Sequence, residues 1–420
     1  MVPTVAKLHG FAPAEAQPLG SSAPHALAAL EFALNWQSPQ AAHTDCLVID
    51  DLQLSRDVLP QALESDLTDR PPGHTVRHEF APGDLLPAAD PNARLTLPAT
   101  AFGRRRVGSS PIQPRAGRFY PRGLLTGLQD IDPDDRTPFR VGRVEPELIV
   151  DLNHPLAERH LTLTARVLDR WHSGDGHAGH GRDIARLITA NGPGMQARWR
   201  DCPTEFFADR PFARSQDEPD TAFYAKPRLV DHLDRTATTQ VEALYGHLIP
   251  AGARILDLMS SWKSHLPARL DTAEVVGLGM NAEELAANPR LSERRVHDLN
   301  REPRLPFAAA RFDAVVCTVS VEYLTQPFAV FAEVHRVLRP GGRFVLTFSN
   351  RWFPPKVIRA WQTCHEFERP GLVLEYFLRH GGFRDLETFS LRGLPRPADD
   401  KYADRLTQSD PVYAVWGNRT

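Results

Sequence analysis

Cysteine is scarce in this chain and is not placed to work in pairs. Its four copies, Cys46, Cys202, Cys317 and Cys364, lie far apart without CxxC spacing, which argues against a zinc knuckle, any other metal site of that kind, or a disulfide scaffold. Long apolar runs are missing too. No stretch reaches the roughly 18 apolar residues a membrane span needs. The amino terminus has no apolar segment long enough for a signal peptide, so no membrane partner is expected and cytoplasmic residence is the default. Neither charge is in excess: 49 Lys and Arg against 52 Asp and Glu leave a net charge of -3. That balance provides no field to draw in nucleic acid or an anionic membrane. The local run Arg104-Arg105-Arg106 reads as a solvated loop.

Proline, by contrast, is abundant. Its 37 copies are dense between Pro60 and Pro138, marking a loop-rich first half in which long helices are not expected. An apolar fraction of 42% with a mean hydropathy of -0.35 leaves ample material for a core. At 420 residues the chain has room for two or three domains.

The most informative stretch begins at Phe312-Asp313-Ala314-Val315-Val316-Cys317, a short β-branched run of the kind buried on both faces in parallel sheets. Phe328, Phe331, Val334 and Leu338 then recur at helical spacing, Pro340-Gly341-Gly342 stops that helix, and Phe344 to Phe348 resumes a strand. This is a βαβ unit, whose crossover should be right-handed. The run Phe312 to Val316, then Val321-Glu322-Tyr323-Leu324, then Glu333 to Phe348 resembles class I S-adenosylmethionine-dependent methyltransferases, in the small-molecule group called type 11. The resemblance implies a Rossmann-like α/β domain with a mostly parallel seven-stranded sheet and S-adenosylmethionine as cofactor. Phe383 to Leu391 and Val412 to Trp416 fit its last, antiparallel pair.

On that resemblance Ala253 to Met259 is the first strand, and the site lies at its carboxyl end, where open α/β sheets bind ligands. The family follows this strand with a glycine-rich loop, but here Met259, Ser261 and Lys263 occupy the glycine positions. Side chains there forfeit the positive φ and the close approach that glycine allows. Ser260, Ser261, Ser264 and His265 offer hydroxyl and imidazole groups for an amino-acid carboxylate instead. A subgroup of the family has a similar loop, implying a rebuilt site. The acid that normally ends the second strand, Glu274 to Asn281, falls on Gly279. Asn281 is left to meet the ribose, while Glu283 and Glu284 read as an acidic first helical turn that complements the helix dipole.

The resemblance further implies that Asp257 orients the loop amides and meets the methionine ammonium, that Asp298 reads adenine, and that the Leu299 backbone meets the ring. Asp298 is also a plain turn former. Tyr224, Arg228 and His232 have four-residue spacing; a helix starting near Pro227 puts the last two on one face. Arg228 could clamp a carboxylate of cofactor or acceptor, or pair with Asp231 or Asp234. For catalysis the candidates are Tyr323, Glu322 and His265, with Ser320 beside them. The bland reading of Glu322 and Tyr323 is a helix cap and a partly buried aromatic. The acceptor, a small molecule or a protein, is unspecified, as is the oligomeric state.

The first half reads differently. Leu148 to Leu152, Asn153-His154-Pro155-Leu156-Ala157 and Leu161 to Leu168 give strand, tight turn, alternating strand. This segment, with Leu59-Pro60 before a short helix near Gln61 to Glu64, resembles SlyD-like FKBP-type prolyl isomerases. That implies an FKBP-like α+β domain over residues 1–172 with an insert-in-flap at about 85–147, able to bind polypeptide. The start, around Leu30 to Leu34, lacks the Tyr and Asp pattern of an active isomerase cleft, which points to binding rather than isomerisation. Residues 173–200, Gly- and His-rich at their start, read as a flexible linker, and 201–420 as the methyltransferase domain.

Overall fold

The computed structural model describes residues 26–420 apart from 54, 68–69, 104–105, 108–109, 129–130, 173–180 and 217. The basic pair Arg104-Arg105 and most of the Gly/His-rich segment therefore lie outside the described residues. The first half consists of β1 (Ala26–Gln37), β2 (Ala42–Gln53), α1 (Gln61–Leu67), β3 (Thr75–Phe80), β4 (Arg94–Leu97), β5 (Arg106–Val107), β6 (Ser110–Pro111), β7 (Phe119–Pro121), β8 (Pro138–Arg143), β9 (Leu148–Asp151), β10 (Leu161–His172) and α2 (Ile184–Thr189). In β1 the alternation of a strand sends Leu30, Phe32, Leu34 and Trp36 into a core with Leu63 and Leu67 of α1. Between β3 and β10 the chain lays down a separate four-stranded sheet in the order β4-β9-β8-β7.

The second half consists of α3 (Asp220–Phe223), α4 (Arg235–Leu248), β11 (Ala253–Leu258), β12 (Thr272–Gly279), α5 (Ala282–Ala287), β13 (Glu293–Val296), β14 (Phe312–Thr318), α6 (Pro327–Val337), β15 (Leu338–Phe348), α7 (Arg359–Thr363), α8 (Glu368–His380), β16 (Phe383–Arg392) and β17 (Val412–Arg419). Its strands run β13-β12-β11-β14-β15-β17-β16, parallel except for β17, which is antiparallel to both its neighbours. This is the Rossmann-like arrangement expected, with strand order reversing at β11 and β14.

The two halves form one sheet. Strand β16 pairs in parallel with β2, Glu387 opposite Ala42 through Arg392 opposite Leu47, and the order continues β2-β1-β10-β3. Asp45, 1% exposed, fastens this seam. It accepts from Trp36 Nε1 (2.9 Å), Gln196 Nε2 (2.8 Å) and Ser390 Oγ (2.7 Å). A second tie joins the small sheet to α8, where buried Arg118 donates to Glu368 through Nε (2.6 Å) and Nη2 (3.2 Å).

Several expectations are corrected. Residues 181–200 are no linker: Ile184 and Ile188 pack into the first-half core, and the Arg182 guanidinium grips Asp57 and Asp51. Strands β9 and β10 are no hairpin, since β9 pairs with β4 and β8 while β10 pairs with β1 and β3. The inserted sheet therefore reaches from Arg94 to Asp151. Helix α4 begins after Asp234, whose side chain accepts from Ala237 N, so the segment after Pro227 is not helical. Helix α6 ends at Val337 and Leu338 is already extended, so Pro340-Gly341-Gly342 lies within the strand run, with Gly341 at φ +76°.

Candidate functional site

A cleft of about 350 Å³ opens at the carboxyl ends of β11, β12 and β14, a usual volume for a small-molecule site. Its floor is the loop after β11. At the first former glycine position Met259 keeps a left-handed backbone, φ +57°, and His265 is at +53°. The loop thus retains the glycine conformation despite the side chains, at a local cost. Those side chains leave the hollow open. Met259 packs against the hydrophobic core, Trp262 Nε1 donates to Val230 O (3.1 Å), and Lys263 Nζ donates to Asp231 Oδ1 (2.6 Å).

Gly279 explains the missing acid. A Cβ there would sit 2.1 Å from the Ser260 carbonyl oxygen, because Ser260 N donates to Leu278 O (2.8 Å) and draws the loop across the strand end. Any side chain at this place would push the loop away.

Asp257, 2% exposed, lines the cleft and accepts from Ser260 Oγ (2.6 Å). Burial pushes its carboxyl up to about 6, against the lowering effect of the Ser260 and Ser264 hydroxyls. Among the described residues it has no ion-pair partner. Arg228 also lines the cleft: Nη2 donates to Phe223 O (2.9 Å), while Nη1 is buried with no hydrogen-bond partner among the described residues. The expected pairing of Arg228 with Asp231 or Asp234 is not formed. Its guanidinium instead lies 4.5 Å from the Phe223 ring centroid. His265 lines the cleft with Nδ1 buried and unpartnered among the described residues, and burial lowers its imidazole to about 4, keeping it neutral at pH 7.

Other nominated residues are spent on structure. Asn281 caps α5, its Oδ1 accepting from Glu283 N and Glu284 N while its Nδ2 donates to Tyr224 O and Ala225 O. It is not free for a ribose. Ser261 Oγ donates to Glu284 Oε2 (2.6 Å), and Ser264, outside the cleft lining, accepts from Asn288 Nδ2. Ser320 faces the cleft but donates to Thr318 O. Asp298 lines the cleft and is also the turn former, Oδ1 accepting from Asn300 N and Arg301 N. Leu299 and Tyr224 line the cleft. Tyr323 lines it too, but its hydroxyl accepts from Phe353 N (2.8 Å), making it a strap for the 351–353 segment. Glu322, 1% exposed, lies behind the cleft wall rather than in it.

Several cleft residues escaped sequence reasoning. Glu284, read as a dipole partner, is a hub: Oε1 accepts from Arg228 N (2.7 Å) and Oε2 from Ser261. Asp220 lines the cleft, held by Arg214, Lys356 and Asn300. Lys401 and Tyr402 arrive from a distant segment. That segment is clamped by Arg396, 2% exposed at its side chain, which meets Asp410 (2.6 Å), Asp400 (2.9 Å) and Asp234 (3.4 Å). No local pattern in the sequence announces that clamp.

Residues 261–346 match the family model of a methyltransferase domain. Among curated proteins, the biotin biosynthesis bifunctional protein BioHC of Teredinibacter turnerae is 24% identical over 212 residues, 46% of this chain and 34% of that protein. Methyltransferase GfsG of Streptomyces halstedii is 29% identical over 137 residues, 30% of this chain and 48% of its own length. The chain thus spans less than half the length of either relative. Among solved structures, an S-adenosylmethionine-dependent methyltransferase from Mesorhizobium loti is 19% identical with a TM-score of 0.30, covering 43% of this chain and 98% of that one. Residues 261–346 are thus similar to a methyltransferase domain, and S-adenosylmethionine is the cofactor of such a domain. None of these matches supports the prolyl-isomerase resemblance of the first half.

Proposed function

We propose that the chain transfers a methyl group from S-adenosylmethionine and that the cleft at Asp257 seats this cofactor. One observation carries the reading: a buried carboxyl at the end of β11 shares the cleft with Arg228, and among the described residues the carboxyl has no cation and Arg228 Nη1 no hydrogen-bond partner. An amino-acid zwitterion completes both, its ammonium at Asp257 and its carboxylate at Arg228. Asp298 Oδ2 and the Leu299 backbone would hold the adenine, and Glu284, with lone pairs to spare, the ribose hydroxyls.

When bound, the cofactor supplies an electrophilic methyl on a sulfonium that is already a good leaving group. The chain's contribution is then chiefly proximity and orientation. Of the three nominated catalytic residues, His265 alone combines a place in the cleft with an unpartnered ring nitrogen. Tyr323 positions the 353 backbone.

For the first half we propose a binding unit of FKBP-like design that holds polypeptide. The support is architectural: a hairpin, a short helix after Leu59-Pro60, and a four-stranded insert between β3 and β10. A proline-peptide isomerisation assay on the full chain tests the companion expectation of no catalysed isomerisation; clear acceleration would overturn it.

Calorimetry with S-adenosylhomocysteine tests the main reading. Binding that weakens on Asp257→Asn and Asp298→Ala is expected, whereas no heat at millimolar ligand would end the proposal.

A further inference from the structure

His232 stands in the cleft with its ring uncommitted. It lines the cavity, and among the described residues neither ring nitrogen has a hydrogen-bond partner, nor is either sealed from solvent. His265 differs, because its Nδ1 is closed into the wall. The neighbours of His232 fix its place in the cleft. Its ring meets the Phe353 ring edge-on, 5.3 Å between centroids, and the Arg228 guanidinium lies 5.7 Å from the same Phe353 centroid. Glu284 Oε1 accepts from Arg228 N (2.7 Å), and His232 feels the charge of both residues. In the reading above those two hold the carboxylate and the ribose of the cofactor, and the sulfonium is the atom that joins these two parts. The cleft lining continues past Phe353 with Trp352, while Lys401, whose charge His232 also feels, has the Tyr402 ring beside it (5.1 Å). His232 thus stands where the cofactor end of the cleft meets an aromatic end.

Resting on the methyltransferase reading, we propose that the methyl acceptor is an aromatic hydroxyl compound and that His232 is a catalytic residue, taking the hydroxyl proton as the oxygen is methylated. An aromatic body suits walls made of Trp352, Phe353 and Tyr402, which offer ring faces and edges. A hydroxyl is the acceptor that calls for a base, since an amine attacks through its lone pair and a thiol ionises far more readily. The step balances. The acceptor oxygen gives an electron pair to the methyl carbon, the carbon–sulfur pair stays on sulfur, and the proton moves to an open nitrogen of His232, which releases it to water. Burial, with Arg228 and Lys401, lowers the His232 imidazole below its ordinary value against the pull of Glu284 and Asp231, so the ring is neutral at pH 7 and ready to accept. A weak base suffices, because the hydroxyl becomes strongly acidic as its oxygen is alkylated. The charged and titratable groups facing the ring are Arg228 and Asp231 of its own segment, Glu284 of α5, Lys401, and His265 of the loop after β11.

Phenol and its methyl ether anisole, which cannot donate, are the probes, titrated into the full chain saturated with S-adenosylhomocysteine. Saturation by the nucleoside is measured first; failure there removes the methyltransferase reading, whereas failure of phenol to bind removes only this inference. Phenol is expected to bind about tenfold more tightly than anisole, and His232→Phe should make the two equal while leaving the affinity for the nucleoside unchanged. With the nucleoside kept saturating, the preference for phenol should be level at neutral pH and shrink as pH falls below the ordinary histidine range, because protonated His232 has no lone pair to offer. With S-adenosylmethionine bound instead, kcat for methyl transfer to phenol should fall about a hundredfold or more in His232→Phe. The wild-type comparison and its pH dependence decide the matter even if the variant does not fold. Equal binding of the two probes by wild type, a preference for phenol that survives in His232→Phe, or one that stays level into acid would overturn the proposal.

Discussion

Removing Asp45 should loosen both halves of the molecule at once. Its Oδ1 accepts from Gln196 and Ser390 and its Oδ2 from Trp36, at 2.7 to 2.9 Å and out of contact with solvent. Asp45→Ala strands three buried donors at about 1–3 kcal/mol each, partly repaid because the Ser390 hydroxyl can turn and because a carboxyl whose pKa burial has raised is no longer held there. A net loss of roughly 3–5 kcal/mol follows. Asp45→Asn should cost less, about 1–3 kcal/mol. Its carbonyl keeps two of the donors, and its amide nitrogen confronts only the Trp36 N–H. Urea unfolding followed by circular dichroism and by tryptophan emission measures this. Because β2 and β16 are neighbours in one sheet, wild type should show one shared transition by both probes, and both should shift together in the variants. Two separate wild-type transitions, or a loss under about 1 kcal/mol in Asp45→Ala, would refute the idea that this seam makes the halves one cooperative unit.

Cofactor binding should depend on acid. The ionised Asp257 is the form that pairs with an ammonium, and its carboxyl sits at about 6 before binding. Affinity for S-adenosylhomocysteine should therefore be level above pH 6 and fall about tenfold per pH unit below it, and Asp257→Asn should remove the slope. In the empty protein the same raised value works in the opposite sense: its stabilising effect is full below the ordinary aspartate range and lost as pH rises through 6. Gly279→Asp, which restores the acid usual in related domains, should abolish cofactor binding in calorimetry, because its Cβ would collide with the Ser260 carbonyl; unimpaired binding would show that the loop has room. Arg396→Met should leave buried Asp234 without its cation and Asp410 with Arg351 alone, costing about 3–5 kcal/mol, and should raise hydrogen exchange across residues 395–410 ahead of the rest of the chain.

The sheet of the second half was largely legible. Phe312 to Cys317 and Phe344 to Phe348 are buried on both faces, so their sequences are apolar apart from Asp313 and Thr347, and the helix between them carries a clean apolar stripe. Pairing of β16 with β2 was not, because contacts between residues hundreds of positions apart leave no local pattern. The segment after Pro227 misled for a related reason: the spacing of Arg228 and His232 suits a helix, but Glu284 takes the Arg228 N–H and Asp234 supplies the actual cap. At the site, Asp257, Asp298 and Arg228 could be named from motif alone. Whether Asn281, Ser261 or Tyr323 had a free polar atom depended on neighbours that only the fold brings together, and the aromatic and cationic rim at Tyr402 and Lys401 depended on the Arg396 clamp.

The most direct measurement is a crystal structure of the full chain grown with S-adenosylhomocysteine. The account predicts density for the nucleoside in the cleft, its amino group against Asp257, its carboxylate against Arg228 and its adenine beside Asp298. Ligand bound elsewhere, or a cleft that stays empty at saturating ligand, would contradict it.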